Sequence, residues 1–208
     1  MIDMKMNETR RRGRPRTLDR EKALRIALEL FWRHGYEGTS INDLTAAMGV
    51  TPTSLYAAFG SKEALYREAL DLYVSNEAGS VAKALTEEKS AFAGFRRMLT
   101  EAVELFSSGE QPRGCMLVTA LLNCAAEHEE MRREAASRRK AAIQLLRERL
   151  DQAVREGELP PDTSTDVMAG YFAAVVQGIA VQAKDGVPAS ALKNVTEMAL
   201  RSWPQKSR

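Results

Sequence analysis

Between Gly35 and Ser61 the chain alternates helix-stopping and helix-starting residues so closely that only short helices fit. Gly35 and Gly38 end one apolar-periodic segment. Thr39 or Ser40 can cap the next, and Ser40 with Asp43 three residues on has the form of a capping box. Gly49 can supply a left-handed turn residue. Thr51 then opens a further helix, with Pro52 at the first helical position, where its missing N–H would be unpaired anyway. Gly60 closes that helix, and Ser61 caps a fourth with Glu63 near its positive end. The spacing predicts helices over about 41 to 48 and 52 to 59. Before them runs one from about 18 to 34, whose Ala23, Ala27, Leu30 and Phe31 form a single buried stripe. Two short helices joined by a tight turn and covered by a third make a helix-turn-helix unit. In such a unit Leu44, Val50, Leu55 and Phe59 pack inward. Thr51, Thr53 and Tyr56 then face out, suited to entering a major groove N-terminal end first.

Strand signals are scarce elsewhere, and an all-α chain is expected. The fourth helix, from about 62, should be long and link the first unit to the rest. Further helices are predicted over about 88 to 107, 114 to 127, 129 to 156, 164 to 184 and 188 to 203. Ser108-Gly109, Pro112 with Gly114, Gly157 with Pro160-Pro161, and Gly186 with Pro188 separate them. Thr163 with Asp166 is a second candidate capping box.

The net charge of +2 conceals an asymmetry, because residues 1 to 20 carry seven Lys/Arg against three acidic side chains. A basic arm on a near-neutral body suits a partner with a phosphate backbone, although a solvated tail has the same composition. Hydrophobic residues at 44% and charged residues at 28% are ordinary for a soluble globular protein. No apolar run comes close to the roughly 20 residues of a membrane-spanning helix, and the N-terminus is basic and polar, unlike a secretory signal. A cytoplasmic setting without a membrane partner is expected. Two cysteines, Cys115 and Cys124, are too few for a disulfide scaffold and lack histidine partners for zinc. On one helix they would be separated by about 13.5 Å of rise, on opposite faces, too far to pair.

At this point the residues resemble a known family. The run TSINDLTAAMGVTPTSLYAAFGSKEALYREAL, residues 39 to 70, is similar to the DNA-binding core of TetR/AcrR-type transcriptional regulators. ALELFWRHGYEGTS, residues 27 to 40, resembles their first helix and its connection, and GRPR, residues 13 to 16, their basic arm. RGCMLVTALLN and GYFAAVVQGIAVQAKDGV, farther on, resemble one branch of the family. The resemblance implies three parts: an arm over 1–15, a DNA-binding domain over 16–76 with its motif at about 39–58, and a helical effector-binding and dimerisation domain over 77–208. It also implies a repressor of a roughly palindromic operator, released by a small molecule. Carried over by position, Thr39, Lys62 and Tyr56 resemble phosphate contacts, with Arg12, Arg14 and Arg16 tracking a minor groove. Thr51, Pro52 and Thr53 read bases with Tyr56. Two departures stand out: Thr45 replaces the usual Ala, and Ala57 and Ala58 stand where many members carry a hydrogen-bonding or aromatic side chain.

In the C-terminal part, Gly170, Ala174 and Gly178 recur every fourth residue, a small stripe that lets helix backbones approach. With Leu192, Val195, Ala199, Leu200 and Trp203 they form the candidate dimer interface, an intermolecular four-helix bundle. Phe95, Met98, Leu99, Phe106, Met116, Leu117, Leu121, Met131 and Tyr171 are candidates to line an effector cavity for an apolar or aromatic molecule. Cys115, after Arg113 and Gly114 at a predicted helix start, is an alternative redox or electrophile sensor through a lowered pKa. A small-molecule binder with a degenerate DNA-binding unit is another alternative. His34 and His128 are expected at solvated helix ends. No paired acid–base group, nucleophile, metal-ligand spacing or phosphate loop points to an enzyme or a cofactor.

Overall fold

The computed structural model describes residues 18–109, 114–119, 121–122 and 125–204. The arginines of the basic arm (Arg12, Arg14, Arg16) and Cys124 lie outside these residues. Among the described residues the chain is helical, without strands.

The first four helices follow the punctuation of the sequence. α1 (Arg20–His34) starts with Asp19 accepting from the Lys22 amide and ends at Gly35, whose φ is 74°. α2 (Ile41–Met48) carries the Ser40–Asp43 capping box with both reciprocal bonds, and Gly49 closes it in the left-handed conformation. α3 (Pro52–Phe59) is capped by Thr51 with Pro52 in its first turn, and α4 (Lys62–Ser75) is capped by Ser61. Ala27, Leu44, Leu55 and Leu65 are fully buried between these helices, and Phe31 and Tyr66 meet edge-on at 5.0 Å. The unexpected Thr45 is accommodated without an orphaned hydroxyl, which donates to the Ile41 carbonyl one turn back at 2.8 Å.

The chain after α4 departs from the sequence reading. The expected long linking helix is broken at Asn76, and α5 (Glu77–Glu87) follows. The Ser75 hydroxyl just before the break donates to the Asp71 and Leu72 carbonyls, a local bond that competes with the helical ladder. α6 (Ala91–Phe106) starts at Ser90, slightly later than expected, and buries Phe95, Leu99, Ala102 and Val103 at helical spacing. Gly94 lets it lie close on α5, since a Cβ there would be 3.0 Å from the Ala84 carbonyl oxygen.

The helix predicted over 114–127 does not form. α7 (Met116–Thr119) is a single turn, Leu121 takes a positive φ of 49°, and a short 3-10 turn (Ala126–His128) precedes α8 (Glu129–Arg155). Tertiary partners take the backbone groups of this segment instead. Gly114 O accepts from Trp32 Nε1 at 2.9 Å, Leu117 O from Arg139, and Ala125 N donates to Glu37. Cys115 precedes this single turn, and Cys124, the other end of the expected helical separation, lies outside the described residues.

α9 (Thr165–Lys184) and α10 (Ala189–Leu200) complete the fold. The second expected capping box is absent. Ser164 occupies the cap position of α9 without a side-chain bond, Thr163 Oγ1 is buried without a partner, and Asp166 pairs with Arg147 at 2.9 Å. By length and composition alone α9, with a mean hydropathy of 1.2, is long and apolar enough to span a membrane, contrary to the sequence reading. Alanines and glycines spread that hydropathy along the helix, so no bulky apolar run marks it. Here α9 is a packing helix that lies against α6, α8 and α10.

One buried polar cluster ties the C-terminal bundle together. Arg149 Nε donates to the Leu85 carbonyl of α5, and its Nη2 approaches Glu158 at 3.3 Å. Glu158 in turn accepts from the first amide of α6, at Ala91.

Candidate nucleic-acid interface and effector cavity

α3 presents two unlike faces. Leu55 and Phe59 point into the core, while Thr51, Pro52, Thr53 and Ala57 are exposed and Tyr56 is 45% exposed. The i, i+4 pair of core residues on a two-turn helix leaves the opposite face to solvent. Thr51 serves first as a cap, with its Oγ1 accepting from the Ser54 amide at 3.2 Å. Of the two alanines, Ala57 is exposed and Ala58 half-buried.

Arg20, exposed at the N-terminal end of α1, fixes the far end of α3. Its guanidinium lies 4.8 Å from the Phe59 ring, reaches the Ala58 carbonyl and holds Glu68 of α4 through both carboxylate oxygens at 2.8 Å. The sequence reading passed over this arginine because it lies 38 residues from its α3 partner.

Two residues assigned to phosphate contact sit differently from expectation. Thr39 is 1% exposed, and its hydroxyl donates to the Gly35 carbonyl at 2.8 Å. It is a buried clasp between α1 and α2, its hydroxyl turned away from solvent. The exposed cap is Ser40, and the positive end of the α2 dipole lies beside it at Ile41 and Asn42. Lys62 is half-buried, with Nζ 4.1 Å from the Tyr36 ring centroid. Burial lowers its pKa, against the opposing fields of Glu37, Glu63 and Asp43.

Beneath Lys62, the Tyr36 hydroxyl donates to Glu63 at 2.9 Å. Burial, then Glu63, pushes the Tyr36 pKa well above its usual value. His128 stacks edge-on against Tyr36 at 4.8 Å and lies 3.8 Å from Glu37. It is a junction residue rather than a solvated helix end, because the turn before α8 is drawn onto Tyr36 and Glu37 just after α1.

The C-terminal domain contains an apolar cavity of about 150 Å³ between α5, α6, α8 and α9. Three of the nine candidate lining residues, Met98, Phe106 and Leu117, border it. Phe95 and Leu99 are solid core, Phe95 packing edge-on against Phe172 and Trp203. Met116, Leu121 and Met131 are buried away from the cavity, and Tyr171 is exposed on the outer surface. The missed walls come from Val81 and Leu85 of α5, Arg139 and Ile143 of α8, and Val176 and Gln177 of α9. α5 falls within the long helix expected from about 62, so the sequence gives its wall residues no separate signal.

Cys115 also borders the cavity. Its thiol is buried and accepts from the Tyr73 hydroxyl at 3.2 Å. Burial raises its pKa, outweighing the opposing hydrogen bond from Tyr73. The expected thiolate at a helix start is therefore overturned, and with it the physical basis for a reactive sensor cysteine.

The outer faces of α9 and α10 carry exposed apolar residues. Gly170 and Ala174 are exposed and Gly178 half-buried, as the small stripe suggested. Around them lie Val167 (71% exposed), Tyr171 and Val181, with Val195 and Met198 (62% exposed) on α10. Leu192, Ala199, Leu200 and Trp203, assigned to the interface from their spacing, are buried in this chain's own core. Periodicity identified the apolar face of α10 but could not say which partner covers it.

An outward recognition helix on a small helical unit, with a larger helical body behind it, defines a helix-turn-helix DNA-binding regulator. The family described as bacterial regulatory proteins, tetR family, matches residues 23–69, and the tetracyclin repressor-like C-terminal domain matches residues 91–197. The HTH-type transcriptional repressor ComR of Escherichia coli (strain K12) is 32% identical over 195 residues, 93% of each chain. The HTH-type transcriptional repressor BdcR of the same organism is 35% identical over 52% of this chain and 55% of its own length. A structure of the TetR family regulator CifR, a cysteine mutant complexed with 26bp double-strand operator DNA, is 44% identical. It covers 92% of this chain and 100% of its own, with a TM-score of 0.87. A TetR regulator from Rhodococcus sp. RHA1 is 38% identical over 89% of this chain and 100% of its own, with a TM-score of 0.61. The chain belongs to the TetR family of transcriptional regulators.

Proposed function

We propose that this protein is a transcriptional repressor that binds a roughly palindromic duplex operator as a homodimer and leaves it when a small molecule fills the C-terminal cavity. The observation that carries the reading is the outward face of α3, where Thr51, Pro52, Thr53 and Tyr56 stand clear of the core that Leu55 and Phe59 anchor. The operator complex of the similar regulator CifR supports it. Thr51, Pro52, Thr53 and Tyr56 contact the major groove, and Ala57 has only a methyl group to offer a thymine. Lys62 and the amide end of α2 approach phosphates. Duplex DNA as partner implies a cytoplasmic protein, and its task is binding, not catalysis.

The exposed apolar stripe of α9 and α10 supports a twofold dimer, which would present two α3 helices to a twofold-symmetric site. The segment 114–118 joins the two halves of the task. Its Cys115, Leu117 and Val118 border the cavity, while Gly114 O holds Trp32 of α1 and Cys115 meets Tyr73 of α4. A ligand that displaces this segment bears directly on the helices that carry the DNA-binding unit. It favours the unbound form only through that difference in contact.

Mobility shift and footprinting on the DNA flanking the protein's own gene test the reading. A protected, roughly twofold-symmetric site is expected, with affinity falling log-linearly as salt rises. Tyr56→Ala should weaken binding by about 1 to 3 kcal/mol at fixed salt. Unchanged affinity removes Tyr56 from the interface, and a chain that binds no DNA fits instead a small-molecule binder with a degenerate reading head.

A further inference from the structure

Packed interiors hold few voids larger than a water molecule, so the cavity between α5, α6, α8 and α9 is a departure that calls for an occupant. It measures about 150 Å³, the size at which an apolar cavity accepts benzene. Val81 and Leu85 of α5, Met98 and Phe106 of α6, Ile143 of α8 and Val176 of α9 supply much of its wall. These side chains carry no nitrogen or oxygen, so what they present is apolar whichever of their side-chain atoms faces inward.

Arg139 and Gln177 also border the cavity, but almost all of the surface turned toward it is apolar. Arg139 donates through Nη1 to the Leu117 carbonyl at 3.1 Å, and its side chain has further partners. Both residues therefore add chiefly hydrocarbon stem to the wall. Ala142 is exposed and Leu145 is 51% exposed, and both border the cavity, so its mouth on α8 is apolar as well.

Such a wall discriminates by polarity. A hydroxyl or amide that enters it gives up hydrogen bonds to water and finds almost none in return, and an ion of either sign gives up far more. An apolar guest has no such bonds to lose and removes its surface from water.

We infer that the cavity takes a compact, uncharged, apolar molecule of about one aromatic ring in bulk, held by shape and hydrophobic burial without a hydrogen bond, and that it rejects cations and anions alike. As a description of the effector, this rests on the proposal that the cavity is where the effector binds. It goes further by assigning the guest's size, its lack of charge of either sign and its lack of a required polar group.

Calorimetric titration of the full chain in the absence of DNA tests the inference, with toluene, phenol, benzoate and benzylamine as probes of similar bulk and different polarity. Toluene should bind, phenol should bind about tenfold or more weakly, and neither benzoate nor benzylamine should bind. Symmetrical triethylbenzene, too bulky for the space, should not compete with toluene. Phenol matching toluene, binding of either ion, competition by triethylbenzene or no binding of toluene overturns the inference.

Ala142→Trp at the mouth and Val176→Phe on α9 each fill space and should abolish toluene binding. Toluene binding unchanged in both variants overturns the site. Circular dichroism confirms that each variant is folded, and because they lie on different helices, one that fails to fold leaves the other to decide. Toluene that binds in the expected order yet leaves an operator complex intact counts against release by this cavity and not against its selectivity, so the two failures are distinguishable.

Discussion

Gly114 shows how one residue can hold two requirements at once. Its φ of 65° lies in the left-handed region, and a Cβ there would be 2.5 Å from the Ala180 carbonyl oxygen of α9. Its own carbonyl accepts from buried Trp32, so the backbone has little room to move. Gly114→Ala should destabilise the protein by about 2 to 4 kcal/mol, with strain and displacement both contributing. Urea unfolding followed by circular dichroism measures this, and a change under 1 kcal/mol would show that the segment yields easily. The sequence suggested Gly114 only as a helix breaker beside Pro112. The approach of α9, 66 residues farther on, could not be read from neighbouring residues. Thr39 and Cys115 teach the same lesson. Their local setting suggested an exposed cap and an activated thiol, but burial made one a clasp and the other a protonated cavity wall.

Among elements, the short helices were more legible than the long ones. α2 and α3 are delimited by Ser40, Gly49, Thr51, Pro52 and Gly60, whose effects act over one turn. The break at Asn76 and the loss of helix after Thr119 have no comparably strong local signal. They follow from what the segments meet in space. α10 shows the intermediate case, in which 3–4 spacing found an apolar face but Leu192, Ala199 and Leu200 bury it internally. The surface left for a partner is the stripe of Val167, Gly170, Tyr171, Ala174 and Val181 on α9, with Val195 and Met198 on α10. Ala174→Arg, in the middle of that stripe and outside the core, should convert a dimer to a monomer at micromolar concentration with little loss of helix. Sedimentation velocity checks it, and a variant that stays dimeric would move the interface elsewhere.

At the scale of the whole molecule, the buried side chains form one continuous core, and Trp32 of α1 and Tyr73 of α4 carry it onward to Gly114 and Cys115. Trp32 and Tyr73 meet at 4.8 Å, and Tyr36 and Tyr66 at 5.2 Å. Burial pushes Tyr66 up to about 12, and burial followed by Cys115 raises Tyr73 farther. The sign of the resulting pH dependence is set by proton counting. Above about pH 10 the unfolded tyrosines lose protons that the folded ones keep, so the unfolded state binds fewer protons and stability falls as pH rises. The contribution is fully present below pH of about 10 and decreases through Tyr66's folded value near 12. Denaturant midpoints should therefore fall steeply over this window, more so than in Tyr66→Phe. Equal slopes would mean that Tyr66 ionises freely in the fold.

The residues alone determined the short-range features: where α1 to α4 start and stop, which face of α3 is greasy, and that the C-terminal part is helical. Caps, glycines and helical periodicity act through neighbours within a turn or two, so adjacent letters carry their meaning. Tertiary structure decided the rest: that Thr39 turns inward, that Gly114, Leu117 and Ala125 give backbone groups to Trp32, Arg139 and Glu37, that α5 supplies a cavity wall, and which apolar faces remain outside. Those outcomes depend on groups brought together from distant parts of the chain. Competition for a buried donor, an acceptor or a few cubic ångströms of space begins only once the helices have packed.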